Sequence, residues 1–371
     1  MLEKLKNMRL FVKTKDKTYP LYFGVNNCFK IKRILNKNKI NSKKIIVIYD
    51  KKIPRKIILK FKKNIRGSEI IFLGLNFTEK MKNLDTVKKI IDVLGKKNFN
   101  RNDCVISMGG GVAGDICAFA SSIYKRGLKF VNIPSTLLSQ VDSSIGGKTG
   151  VNNFLGKNMI GTFCQPDVVI IDTIFLKSLP KREMICGYAE ILKHSLISDK
   201  KFFIFLTNNF KSILSLKPVI IKKAILKSCK IKKKIVERDE RENNLRKTLN
   251  YGHTFAHAFE SSMGYTKKLN HGEAVLLGIL TASKFSNSEN LLPKDELKLI
   301  ENHIEELKYN NLKDYFKTKS INKISDFMIK DKKNDSKDIN LILLRKIAKP
   351  LLNNKYPKIK VKKFLSSLIN K

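Results

Sequence analysis

The chain has 371 residues, enough to bury a large core and, on length alone, to form two domains. A hydrophobic fraction of 42% suits a folded globular protein, and six irregularly spaced cysteines with no CxxC exclude a zinc ribbon or a disulfide framework and fit a reducing compartment. The formal charge of +43 comes from lysine spread along the whole chain beside abundant Ile, Asn and Phe, a pattern that AT-rich codons produce without selection for a partner, so no specific nucleic-acid interface is expected.

In chain order, the first twenty residues lack the apolar core of a signal peptide, and no apolar run approaches the ~20 residues of a membrane span. A soluble, cytoplasmic protein with no membrane partner is expected. "KKIIVIYD" (43–50) and "SEIIFLGL" (68–75) read as strands. "DTVKKIIDVLGKK" (85–97) has helical spacing, and "DCVISM" (103–108) is a strand that runs into "GGGVAGD". A helix follows, then strands at "KFVNIP" (129–134) and "DVVIID" (167–172). Alternation of this kind argues for a parallel sheet. From "REMICGYAEILKHSLI" onward the spacing is helical, with long amphipathic segments at 217–242 and 271–290. The expected architecture is therefore an α/β Rossmann-like domain over residues 1–175 and an all-α domain over 176–371.

"GGGVAGD" satisfies G-x-G-x-x-G with Gly109, Gly111 and Gly114, between a strand and a helix. In that setting backbone N–H groups and a helix N-terminus can hold a pyrophosphate. The acid expected about 20 residues later is missing, and Asp50, ending an earlier strand, can serve the ribose instead. "DSSIGGKTG" (142–150) is not a P-loop, because Asp142 stands where the first glycine belongs. Lys148, Lys157 and Asn158 near flexible glycines still suit a phosphate-binding loop.

"GYAEILKHS" brings Glu190, Lys193 and His194 close together along a helix. "NYGHTFAHAFE" places His253 and His257 at i, i+4, facing one way, and "NHGEA" contributes His271. One carboxylate with two imidazoles is a catalytic zinc set that leaves a position open. Spacing alone does not choose among the histidines.

The run "GGGVAGD", "YKRG", "IPSTLLSQVDSSIGGKTGVN", "LGKNMIGTFCQP", "LPKRE", "GYAEILKH", "RKTLNYGHTFAHAFE" and "LNHGEAV" resembles the 3-dehydroquinate synthase family, over about residues 45–285. The resemblance implies a lyase that uses NAD and a divalent metal, zinc or cobalt. Such an enzyme converts 3-deoxy-D-arabino-heptulosonate 7-phosphate (DAHP) to 3-dehydroquinate and phosphate, the second step of the shikimate pathway toward chorismate and the aromatic amino acids. It implies a homodimer, with Arg126 reaching across the interface. The implied metal ligands are Glu190, His253 and His271, with His257 beside the substrate. Lys148, Asn158, Arg126 and one lysine of Lys332 and Lys333 match the phosphate side. Lys232, Arg246 and Asn250 match the carboxylate side, where arginine binds bidentately. Asp142 and Lys193 match groups that hydrogen-bond the substrate hydroxyls. NAD contacts fall on Asp50, Glu79, Lys82, Gly109, Gly110, Gly111, Gly114, Asp115, Ser135, Thr136, Lys148, Lys157 and Asn158. Other sugar phosphate cyclases, and metal-dependent alcohol dehydrogenases that release NADH, share parts of this pattern. The cations matched to a carboxylate favour the acid-bearing substrate.

Overall fold

The computed structural model describes residues 8–154, 156–264, 268–309, 311–329 and 338–370. Lys332 and Lys333 lie outside them. The strands are β1 (Met8–Lys13), β2 (Thr18–Gly24), β3 (Lys44–Asp50), β4 (Glu69–Leu75), β5 (Cys104–Gly109), β6 (Lys129–Pro134), β7 (Lys148–Asn153), β8 (Gly156–Phe163), β9 (Val168–Asp172), β10 (Asp338–Lys346) and β11 (Lys349–Pro357). The helices of the first half are α1 (Ile31–Lys37), α2 (Arg55–Asn64), α3 (Leu84–Lys96) and α4 (Gly111–Ile123). Then come α5 (Lys181–Ser198), α6 (Lys200–Leu214), α7 (Pro218–Arg238), α8 (His253–Ser262), α9 (His271–Ser288), α10 (Lys294–Glu306), α11 (Ser320–Ile329) and α12 (Lys358–Asn370).

The chain divides into two compact units. One holds the residues up to Met184 together with Ser212–Glu240; the other holds Ile185–Lys211 and the chain from Arg241 on.

The first unit is built on a seven-stranded sheet in the order β1-β2-β9-β6-β5-β3-β4, parallel except for the β1–β2 pair. Strands buried on both faces read as continuous apolar runs, as "KIIVIYD" does. Successive side chains of β3 go to opposite faces. Ile45 and Val47 join α1 and α2 through Ile34, Leu35, Ile57 and Phe61. Ile46 and Ile48 join α3 and α4 through Val87, Ile90, Ile116 and Cys117. The strand order runs from β3 to β4 on one side and to β5, β6 and β9 on the other. That reversal opens a crevice at the carboxyl ends of β3 and β5, where doubly wound sheets bind ligands. Asp50 and Gly109 end those two strands.

Chain order suggests that α7 belongs with the helical half, but its contacts place it in the first unit. Lys232 donates to the Asp142 carbonyl at 2.6 Å, and the Cys229 thiol contacts the Gln140 carbonyl at 3.3 Å. Both partners lie in or beside a wide helical turn over Ser139–Ser143.

The second unit is mainly helical. Its centre is the pair α8 and α9, with Phe255, Phe259, Leu276 and Ile279 fully buried. The antiparallel hairpin β10–β11 is an addition to the expected all-helical design. Its first strand alternates, with Ile339, Leu341 and Leu343 inward, a period-two signal set beside lysine- and asparagine-rich flanks. Phe285 of α9 packs edge-on against Tyr356 and Phe364, each at 4.9 Å, which ties the hairpin and α12 to the helical core.

Candidate active site

Three helices of the second unit aim donors at one point. Glu190 comes from the middle of α5, His253 from the first position of α8 and His271 from the first position of α9. One donor atom from each lies within 4.8 Å of the others. Glu190 Oε1 is 3.4 Å from His253 Nε2 and 3.6 Å from His271 Nε2. Donors about 2.0–2.1 Å from a tetrahedral zinc are about 3.4 Å apart, so the spacing is that of a shared cation. The chemistry fits as well: one carboxylate and two imidazoles make a three-ligand set with room for a further group.

Local sequence explains the convergence. Asn270 caps α9: its side chain accepts from the Glu273 N–H at 2.9 Å, and Glu273 Oε2 accepts from the Asn270 N–H at 2.8 Å. This reciprocal cap fixes the turn that carries His271. Gly252 caps α8 with φ +77°, a left-handed conformation costly for other residues, and a Cβ there would meet the α9 backbone 2.7 Å away at Ile279 N. A Cβ on Gly272 would sit 2.1 Å from Cys186 Cα in α5. These two glycines allow three helix backbones to approach closely enough for their side chains to meet.

The ring nitrogens away from the shared point are also held. His253 Nδ1 faces the Tyr251 carbonyl at 3.3 Å, and His271 Nδ1 faces Glu260 Oε2 at 3.0 Å. With a cation at the common point, Nδ1–H is the donor on each ring and Nε2 turns its lone pair to that point. The sequence reading names neither Glu260 nor Tyr251. The available signal was periodic: His253, His257 and Glu260 stand at i, i+4 and i+7 on one stripe of α8.

Charge is tightly balanced here. Burial works against the Glu190 carboxylate, but the adjacent Lys193 ammonium and hydrogen bonds from His253 and His271 hold its pKa well below the usual range. Burial, with Lys193 repulsion, lowers the pKa of His253. Burial opposes charge on His271 too, yet hydrogen bonds and charge from Glu190 and Glu260 raise it to about 10.

His257 is exposed beside this set, outside the group of converging donors. Its ring lies 5.4 Å from that of His253 and 6.4 Å from that of His271. Arg246 is 2% exposed in the short helical turn Leu245–Asn250. Asn250 ends that turn, and its amide donates to Glu242 at 2.8 Å and to the Lys247 carbonyl.

In the first unit, Lys232 and Asp142 form an ion pair at 2.7 Å. The glycine turn falls at the crevice. Gly110 caps α4 without any side-chain hydrogen bond, so the first N–H groups of the helix face no competing cap. Ser135 N–H donates to the Gly109 carbonyl at 2.8 Å, and Thr136 turns back on Ser139. Lys82 bridges Asp115 and Asn158, each at 2.5 Å, and Glu79 accepts from Asn152 at 2.8 Å. Burial raises the Asp115 pKa against the pull of Lys82. A recess of about 250 Å³ beside the start of α4 is lined by Gly114, Asp115, Asn132, Ser143, Lys148 and Thr149, among others. The uncapped helix start suits the pyrophosphate of a dinucleotide. Lys157 is half-buried on β8. Arg126 is exposed, just beyond the carboxyl end of α4. A 13-residue helix is about 20 Å long, so Arg126 is not brought to the glycine turn of its own unit.

The fold and these two sites define a class, the dehydroquinate synthase-like proteins. Two solved structures align over almost the whole chain. One is 2-deoxy-scyllo-inosose synthase complexed with carbaglucose-6-phosphate, NAD+ and Co2+, at 24% identity and a TM-score of 0.87, covering 97% of this chain and 100% of that one. The other is 2-epi-5-epi-valiolone synthase from Streptomyces hygroscopicus subsp. jinggangensis with NAD+ and Zn2+ bound, at 24% identity and a TM-score of 0.84, covering 96% and 98%. Residues 73–186 match the family model for the 3-dehydroquinate synthase N-terminal region, and residues 187–334 match that for its C-terminal region. A 3-dehydroquinate synthase of Pelagibacter ubique is 50% identical over 365 residues, covering 98% of this chain and 99% of the relative. The chain belongs to the 3-dehydroquinate synthase family.

Proposed function

We propose that this protein converts DAHP to 3-dehydroquinate and phosphate, using NAD and a divalent cation, Zn2+ or Co2+. The observation that carries the reading is the convergence of Glu190, His253 and His271 at the spacing of a shared cation, in a chain half identical to a 3-dehydroquinate synthase. Bound there, the cation would polarise the substrate's C4 and C5 hydroxyl groups, and NAD would supply reversible hydride transfer at C5.

The chain's own residues bind and orient. Lys148, Asn158 and one lysine of Lys332 and Lys333 take the phosphate, with Arg126 supplied by a second copy in a homodimer. The position of Arg126 at the far end of α4 supports a role outside its own glycine turn. Arg246, Asn250 and Lys232 take the carboxylate. Lys232 is suited to this because its buried ammonium is held in place by the ion pair with Asp142. Asp142 and Lys193 hydrogen-bond the hydroxyls, and His257, exposed beside the donor set, contacts the substrate. Holding two anionic groups in a fixed geometry is the largest service that such a site offers.

Asp50, Glu79, Lys82, Asp115, Ser135, Thr136, Lys157, the glycines of "GGGVAGD", Lys148 and Asn158 form the proposed NAD site. Among the described residues no helix is long and apolar enough to cross a membrane, and all six cysteines are free. Both facts support a cytoplasmic setting.

The test is phosphate release from DAHP with and without NAD, before and after EDTA treatment. Release that requires both, with no NADH accumulating, is the expected result. Steady NADH production from a polyol, without phosphate release from DAHP, would refute the proposal and move the protein to the dehydrogenases.

A further inference from the structure

We propose that Glu260 is a positioning residue of the metal site, acting through His271; this rests on the reading that Glu190, His253 and His271 hold the cation. Glu260 is 6% exposed on α8, seven residues after His253 and so on the same stripe. Its Oε2 lies 3.0 Å from His271 Nδ1, while His271 Nε2 lies 3.6 Å from Glu190 Oε1. Glu260 therefore addresses the nitrogen that faces away from the shared donor point, and it stands outside the converging donor group itself.

The two histidines are held differently. His253 Nδ1 meets a neutral backbone carbonyl at 3.3 Å, whereas His271 Nδ1 meets a carboxylate at 3.0 Å. The difference matches their surroundings. His253 is nearly enclosed, its side chain 12% exposed, and packing limits its ring. The His271 side chain is 36% exposed, so packing leaves more freedom to its ring. A carboxylate partner supplies the missing restraint: it keeps the proton on Nδ1, directs the Nε2 lone pair to the common point and raises the basicity of that lone pair. Glu260 also joins α8 to the first turn of α9, so one side chain sets both the orientation of the ligand and the distance between two ligand-bearing helices.

The test is zinc affinity of the metal-free full-length protein, measured by chelator competition, with the visible absorption spectrum of the Co2+-substituted protein as a second readout. Wild type, H271A, E260A and E260Q are compared, with circular dichroism to check the fold. E260A is expected to bind zinc about 10- to 100-fold more weakly and to change the Co2+ spectrum. E260Q, whose amide oxygen can still accept the Nδ1 proton without carrying charge, is expected to fall between E260A and wild type. Wild-type affinity and spectrum in E260Q and E260A would overturn the assignment, and E260Q alone decides if E260A does not fold. Failure of the underlying site is a separate result: either the wild type would bind no metal, or H271A would bind as well as wild type.

Discussion

His303 makes a measurable prediction about stability and pH. It lies on α10, 3% exposed, with its Nε2 2.8 Å from the Tyr188 hydroxyl and the rings of Phe203 and Phe210 edge-on at 6.1 and 5.5 Å. Tyr188 can pass a hydrogen bond to the Leu206 carbonyl, which leaves Nε2–H as the donor to the phenol oxygen and makes the neutral ring the best fit. Burial lowers the His303 pKa from 6.5 to about 4. Between those values the unfolded chain binds a proton that the folded one refuses, so stability is present above about pH 6.5 and is lost as pH falls toward 4. The full shift corresponds to about 3 kcal/mol, of which about 2 kcal/mol is lost by pH 5. The perturbation is His303→Gln, which cannot titrate but can meet the Tyr188 hydroxyl. Urea unfolding followed by circular dichroism at pH 7.5 and pH 5 should show wild type losing about 2 kcal/mol more than the variant. Carboxylates and the other histidines titrate in both proteins and cancel in the difference. Equal losses in the two proteins would refute the argument that His303 is kept neutral by burial.

Three further outcomes are expected. Gly272→Ala forces a Cβ to within 2.1 Å of Cys186 Cα, so α9 must back away from α5; overpacking of this kind costs about 1–3 kcal/mol, and both the melting temperature and zinc affinity should fall. His271→Ala should abolish metal retention and turnover while the circular dichroism spectrum stays native, because the Asn270–Glu273 cap of α9 remains; near-normal activity would show the ligand assignment to be wrong. Lys82→Ala removes the partner of Asp115 and Asn158 and should weaken NAD binding about tenfold by isothermal titration, the loss of one charged hydrogen bond. Unchanged affinity would remove Lys82 from the cofactor site.

The parts of the fold that were legible in the sequence are those with local causes. β3 to β6 announce themselves as apolar runs between helix-spaced segments, and "KFVNIP" is the strand Lys129–Pro134 residue for residue. The hairpin β10–β11 was missed although Ile339, Leu341 and Leu343 alternate along its first strand, and the hairpin β7–β8 was not legible. β7 carries Gly150 and polar residues, and β8 is only half-buried, so neither shows clean alternation. Site residues behaved in the same way. Side chains on one helix turn, such as Glu190 and Lys193, can be paired by counting, whereas Lys232 and Asp142 pair across 90 residues of chain that no period connects.

By itself the sequence determined the alternation of strands and helices, the uncapped glycine turn at the head of α4, and the supply of one acid and several imidazoles. Those follow from side-chain periodicity and backbone freedom, which act over a few residues. Residue spacing left His253 and His257 equivalent, being four apart on one face; family resemblance singled out His253. Tertiary structure shows the physical difference between them: Gly252 and Gly272 let α8, α9 and α5 approach until His253 and His271 face Glu190, and leave His257 one turn further along, at the surface. It also set Glu260 behind His271 and moved α7 into the α/β unit. Distances between helices depend on every contact along their lengths, so they exist only once the chain has packed.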